Sequence, residues 1–219
     1  MRRFSFVFAM MMALLLWGQV AFATPMKAEV GEQRLEFPSG EARYPSVRLE
    51  NREAARRIND TLKKEAEEFS LRVKEDQKRN KSATGKMTYR ITCNKANAFS
   101  CILEEVRSPR GDRAASVLRR KAYIFKLSSG RQAAYDDVWA LAVAAGKNKL
   151  YDRKGLVDKV FNQTERAGIA LSSPFRGLSY PPKNLYLDEK LRFHMLLQPG
   201  EVTDPATGSI DIDIDEENW

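Results

Sequence analysis

KAYIFKLSSGRQAAYDDVW, residues 121–139, is the stretch on which the fold class turns. Tyr123, Phe125 and Leu127 alternate with other residues at the period of a strand, and Ser129-Gly130 marks a tight turn. A short second strand follows, and the paired acids Asp136 and Asp137 are suited to cap a helix. Strand, turn, strand and helix follow each other with no long connection, and no residue set in this unit has the chemistry of a catalyst.

Working upstream, two further alternating runs precede it: Met87, Tyr89, Ile91 and Cys93, then Phe99, Cys101 and Leu103. Strands are therefore expected near 86–94, 99–106 and 116–127, joined by short turns as an antiparallel meander. Before them, Asn51 offers a cap to REAARRINDTLKKEAEEFSLRVKED, residues 52–76. There Ala55, Ile58, Leu62, Ala66, Phe69 and Val73 recur at steps of three and four, which predicts a long amphipathic helix. Downstream, Val138, Leu141 and Ala142 predict a short helix ending at Gly146. A second, from about 152 to 167, presents Leu156, Val157, Val160 and Phe161 and stops at Gly168. NLYLDEKLRFHMLL, residues 184–197, predicts a hairpin turning at Asp188-Glu189-Lys190. In SIDIDIDEENW, Ile210, Ile212 and Ile214 fall on one face of a strand and Asp211, Asp213 and Asp215 on the other. The expected class is α+β: an antiparallel β-meander sheet with a long N-terminal helix and two shorter helices packed on it.

The N-terminus reads as a signal peptide over residues 1–23: two arginines, an apolar run from Phe4 to Trp17, and Ala21-Phe22-Ala23 before Thr24. An uncleaved anchor is the alternative, against which Gly18 and Gln19 interrupt the run. Residues 24–42 read as a lead-in segment with at most one weak strand, and residues 43–219 as one domain. Without residues 1–23 the chain carries 35 basic and 29 acidic residues, a net charge of +6. That excess favours anionic surfaces and is too mixed in sign for nucleic acid. The expected location is the periplasm or the extracellular space, with no stable membrane insertion after cleavage.

The two cysteines, Cys93 and Cys101, sit on neighbouring strands, and export makes a disulfide across the hairpin the leading expectation. Two buried thiols or a redox pair are the alternatives. His194 is the only histidine. Its strand places it beside Arg192 and opposite Phe193 and Met195, on a surface. One histidine and two cysteines do not make a zinc set, and isoleucines fill the gaps that a calcium loop would need between Asp211, Asp213 and Asp215. No metal and no cofactor is expected. Arg107, Arg110, Arg113, Arg119 and Arg120 gather around SPRGDRAAS, residues 108–116, and suit an anionic ligand or an acidic protein surface.

Four stretches taken in order carry a resemblance: YPSVRLENREAARRINDTLKKEAEEF, the strand-turn-helix unit quoted first, NLYLDEKLRFHMLL, and QPGEVTDPATGSIDIDI at 198–214. Together they resemble the extracytoplasmic domain of RsiV-type anti-sigma factors, a domain also found ahead of the catalytic part of PdaC-type peptidoglycan deacetylases. The resemblance covers about 41–215. Where the family has a Gly-Gly-Ala-His-like loop this chain reads SPRGDRAAS, and Gly200 takes the place of an aromatic. Glu201 and Gly208 match the pattern. The resemblance implies lysozyme-like recognition, with ligand contacts from Arg110 and Arg113 in one loop and Glu201 and Asp204 in another. The expected function is that of an exported, non-catalytic domain binding an envelope protein, lysozyme-like, or a cell-wall glycan. A small wall hydrolase or deacetylase, and a purely structural envelope protein, are the rival readings.

Overall fold

Asn51 starts the long helix by accepting a hydrogen bond from the Ala54 amide at 3.1 Å, which satisfies one of the free donors of the first turn. The helix, α1 (Arg52–Arg79), buries Ile58, Leu62, Ala66, Phe69 and Val73 along one stripe, each large side chain contributing about 1.5–3 kcal/mol. The computed structural model describes residues 26–111, 116–135, 137, 153–172 and 178–215. Within them, β1 (Glu29–Phe37) and β2 (Gly40–Arg48) precede α1. β3 (Thr84–Lys95), β4 (Ala98–Ser108) and β5 (Val117–Lys126) follow it, then α2 (Arg153–Arg166), β6 (Leu185–Leu187), β7 (Phe193–Leu197) and β8 (Ile210–Asp213).

The strands form two sheets, one in the order β1-β2-β3-β4-β5 and one in the order β6-β7-β8. All pairs are antiparallel except β2 with β3, which α1 connects in parallel through Gly40–Gly85, Glu41–Lys86 and Ala42–Met87. Glycine is needed there: a Cβ on Gly40 would lie 2.2 Å from the Gly85 carbonyl oxygen, and one on Gly85 would lie 2.3 Å from Val73. α1 covers one face of the larger sheet, where Tyr44, Met87, Phe99, Leu103, Tyr123 and Phe125 meet its stripe. The smaller sheet and α2 cover the other face, through a core that includes Ala98, Ile124, Leu156, Val160, Leu187 and Met195.

The expected fold needs correction in three respects. The larger sheet is mixed rather than antiparallel, because the chain crosses over through α1 instead of meandering into β3. The C-terminal strands form a second sheet and do not extend the first. Two α-helices, not three, stand among the described residues; the helix expected over 138–146 lies outside them. The stretch taken as a lead-in supplies all of β1 and the start of β2, a nine-pair hairpin.

No disulfide forms. Cys93 and Cys101 are both free and buried, and they belong to different cores, Cys93 on the face of the second sheet and Cys101 under α1. The register jumps from Ile91 opposite Cys101 to Cys93 opposite Ser100, a bulge at Thr92. That extra residue flips the side-chain alternation and sends the two sulfurs to opposite faces. Burial pushes both thiols above their ordinary pKa.

Two buried polar groups lock the layers. Glu105, 1% exposed, lies 2.7 Å from Arg72 of α1 and 3.8 Å from Lys121. Lys121 also pairs with Glu65. Burial tends to raise the Glu65 pKa, but hydrogen bonds from Lys121 and Tyr123 outweigh it and hold the carboxyl below its ordinary value. On the other face Ser100, fully buried, joins three strands. Its Oγ receives the Thr92 hydroxyl at 2.9 Å and the Leu187 amide at 3.0 Å, and donates to the Tyr123 carbonyl at 2.9 Å.

Labelling of the unreduced chain after unfolding is expected to modify both cysteines; protection of the pair until a reductant is added would restore the disulfide. Ser100→Ala is expected to lower the unfolding free energy by about 2–4 kcal/mol, since a buried donor or acceptor left without a partner costs about 1–3 kcal/mol. Chemical denaturation measures this, and a loss well under 1 kcal/mol would show that the three groups find other partners.

Candidate ligand-binding cleft

The face of the larger sheet turned away from α1 is set by strand alternation. Thr88 and Arg90 of β3, Ile102 and Glu104 of β4, and Arg120 and Ala122 of β5 all project toward the second sheet. Ile102 and Ala122 meet Tyr186 and Leu196 in a small apolar cluster. Beyond it lies a cleft of about 410 Å³ lined by polar side chains of both layers: Thr88, Arg90, Glu104 and Arg120 on one side, Ser209 and Asp211 on the other, with Ile102 and Leu196 as apolar walls. Its size falls in the range of small-molecule sites, about 300–1,000 Å³.

Arg120 is held at both ends. Its backbone exchanges two hydrogen bonds with the Gln198 side chain, at 3.0 and 2.6 Å, and its Nε donates to Glu104 Oε2 at 2.6 Å. Ser209 Oγ is buried and has no hydrogen-bond partner among the described residues. Arg90 is exposed and makes no ion pair among the described residues, yet its charge acts on both Asp211 and Tyr186.

Behind Asp211 stands a second set of polar groups. His194 is 9% exposed, and its Nδ1 lies 3.1 Å from Asp211 Oδ1. Its Nε2 lies 3.5 Å from Asp188 Oδ2, within ion-pair reach. The Tyr186 ring stacks on the imidazole at 4.7 Å between centroids, and the Tyr186 hydroxyl donates to Asp211. Burial works against a charged imidazole, but the Asp211 hydrogen bond and the charges of Asp211 and Asp213 outweigh it, and the His194 pKa is raised. Asp211 moves the other way: hydrogen bonds from His194 and Tyr186 overcome burial and lower its pKa. Burial would also raise Asp188. The Arg192 and Lys190 amides and the Arg192 side chain bring it down to about 2. His194 thus stands between two carboxylates that favour its protonated form. Nδ1 is held by Asp211, and Nε2 is buried beside Asp188 without a hydrogen bond, so the ring is fixed in position.

The residues singled out in the sequence are placed as follows. Arg110 is exposed in the turn after β4, whereas Arg113 lies outside the described residues. Glu201 closes its own turn by accepting from the Gln198 amide at 2.9 Å. Asp204 caps a short 3-10 turn by accepting from the Ala206 amide at 2.8 Å. Arg107 pairs with Asp76 at 2.5 Å. His194 is not the surface histidine expected, because the whole of β7 is buried. The aspartates of β8 are not a plain solvated face either: Asp211 holds His194, Asp213 lies 2.9 Å from Arg192, and Asp215 accepts from the Phe193 amide at 2.7 Å. Among the described residues no group of three His, Cys, Asp or Glu side chains is placed to hold a metal ion. Arg90, Glu104 and Ser209 went unread, and Arg120 was read only as one of the arginines gathered around residues 108–116. The signal available for them was strand parity, which puts Arg90, Glu104 and Arg120 on one face.

No protein-family model and no curated protein matches the sequence. Among solved structures, the chain is similar to a DUF3298-family protein from Bacteroides fragilis, with a TM-score of 0.55 and 12% identity over 85% of this chain and 89% of that one. It also aligns with a DUF3298-family protein from Pseudomonas aeruginosa, with a TM-score of 0.48 and 8% identity over 88% of this chain and 90% of that one. The first likeness establishes a shared fold.

The clamp carries a pH dependence of defined sign. His194, raised above 6.5, contributes stability that is full below 6.5 and is lost as pH rises through its folded value. Asp188 and Asp211, both lowered from 3.8, contribute stability that is full above 3.8 and is lost as pH falls through theirs. The midpoint of thermal unfolding is therefore expected to decline as pH rises from 6.5, and His194→Gln is expected to flatten that decline. An equal slope in the variant would remove the histidine from the coupling.

Proposed function

We propose that this chain is an exported, non-catalytic binding module that engages a component of the cell envelope, a protein or a glycan. The observation that carries the reading is the state of His194. A hydrolase or deacetylase needs a side chain able to accept a proton at the reacting atom. The sole histidine is instead buried, with Nδ1 held by Asp211 at 3.1 Å, Nε2 facing Asp188 at 3.5 Å, and its pKa raised by these carboxylates. That arrangement suits a rigid frame.

The fold shared with a DUF3298-family protein and the sequence resemblance to RsiV-type extracytoplasmic domains support the same reading. The leader-like residues 1–23 support export. Arg110 remains an exposed cation on a tight turn: Gly111 adopts a φ of +72°, and a Cβ there would come within 2.8 Å of Ser82. The close approach of Gly111 to Ser82 fixes the backbone from which Arg110 projects. An arginine fork suits carboxylates on a protein or a wall polymer.

The test is retention of the full chain on purified peptidoglycan and on immobilised lysozyme, with chemical analysis of the polymer afterwards. Retention without release of sugar, peptide or acetate is the expected result. Retention on neither, or turnover of the polymer, would overturn the reading. Replacing Arg110 and Arg113 together by Ala is expected to weaken retention at moderate salt and to leave the unfolding temperature nearly unchanged, since an exposed charge such as Arg110 contributes about 0–1 kcal/mol to folding. Unchanged retention would remove that loop from the contact.

A further inference from the structure

We propose that the cleft between the two sheets binds a sugar acid, a hydroxyl-bearing ring that carries one carboxylate. This rests on the envelope-binding reading and gives it a ligand class. The charges of the cleft set the sign. Glu104 is compensated by Arg120 at 2.6 Å, and Asp211 by His194 behind it at 3.1 Å. Arg90 is left over: it lines the cleft and makes no ion pair among the described residues. The lining carries two cations, Arg90 and Arg120, against Glu104 and Asp211, and Arg90 is the one without an ion pair of its own, so its planar fork is open to a carboxylate in two parallel bonds. A dianion such as phosphate would lie against both Glu104 and Asp211 with Arg90 alone free to answer it.

The remaining groups call for hydroxyls. Ser209 Oγ is buried in the cleft wall without a partner, and a buried hydroxyl in that state gains from any ligand atom that completes it. Arg120 uses Nε on Glu104 Oε2, which leaves its terminal amino groups as donors and Glu104 Oε1 as an acceptor. That pairing fits two adjacent hydroxyls of a ring. Ile102 and Leu196 supply apolar wall for the C–H face of such a ring. The two bonds from Gln198 to the Arg120 backbone fix this part of the site before any ligand arrives, which favours binding by lowering the ordering cost.

The experiment is calorimetric titration of the full chain with N-acetylmuramic acid and glucuronic acid, with N-acetylglucosamine, glucose and acetate as controls. Both sugar acids are expected to bind, and the neutral sugars and acetate to bind at least about tenfold more weakly, as the loss of a charge-assisted pair or of the ring contacts requires. Arg90→Gln is expected to weaken the sugar acids about tenfold and Ser209→Ala several-fold. Both variants should keep the parent unfolding temperature. Equal binding of neutral and acidic sugars, acetate matching the sugar acids, or full affinity in Arg90→Gln would overturn the proposal. If the sugar acids give no heat while the chain is still retained on peptidoglycan or lysozyme, the cleft assignment alone falls. If all three are silent, the envelope-binding reading falls with it.

Discussion

The hydroxyl of Ser100 is the contact on which the layering depends. It sits at the middle of the larger sheet, fully buried, and uses one donor and two acceptor sites on β3, β5 and β6. β6 is a strand of three residues, too short to hold a position by its own ladder. Its Leu187 amide would be an orphan in an apolar core without the serine. The bond therefore fixes where the second sheet lands on the first, and β7 and β8 follow from β6 by antiparallel pairing.

The same requirement accounts for the composition of β4. A strand of an antiparallel sheet with one wet face alternates; this one reads AFSCILEEVRS and is buried at nearly every position, because α1 covers one face and the second sheet the other. Each charge it carries must then be met. Glu105, under α1, is met by Arg72 and Lys121; Glu104, on the opposite face, is met by Arg120. Consecutive glutamates that look like a solvated pair in the sequence anchor two different interfaces, one to a helix and one to a cleft.

How much of this was legible follows from which features are local. The 3.6-residue stripe of α1 and its Asn51 cap, the three long strands, the second helix and the C-terminal hairpin all came from periodicity and turn chemistry, which neighbouring residues determine. The β1–β2 hairpin was missed because an edge strand such as β1, with Glu29, Glu32, Arg34 and Glu36 in water, has little apolar alternation to read. The disulfide expectation failed on one residue: without the bulge at Thr92, alternation would put Cys93 and Cys101 on one face, and with it they part. His194 and Asp211 were misread for a different reason. Nothing in a single strand states that a tyrosine two residues before the turn will lie flat on the histidine, or that Asp188 at the turn itself will reach back to it.

The two polar networks differ in a way that bears on function. Under α1, Arg72, Glu105, Lys121 and Glu65 pair two cations with two anions and are enclosed between helix and sheet. Across the sheet, the Glu104–Arg120 and Asp211–His194 pairs border an open cleft, in which Arg90 makes no ion pair and Ser209 Oγ has no hydrogen-bond partner among the described residues. Partly satisfied polar sites are costly to a fold and persist where something completes them. The second sheet, placed by Ser100, brings Asp211 and Ser209 over β3 and β4. The unanswered groups are thus a consequence of the layering, and the cleft they line is where the fold has interaction capacity left to use.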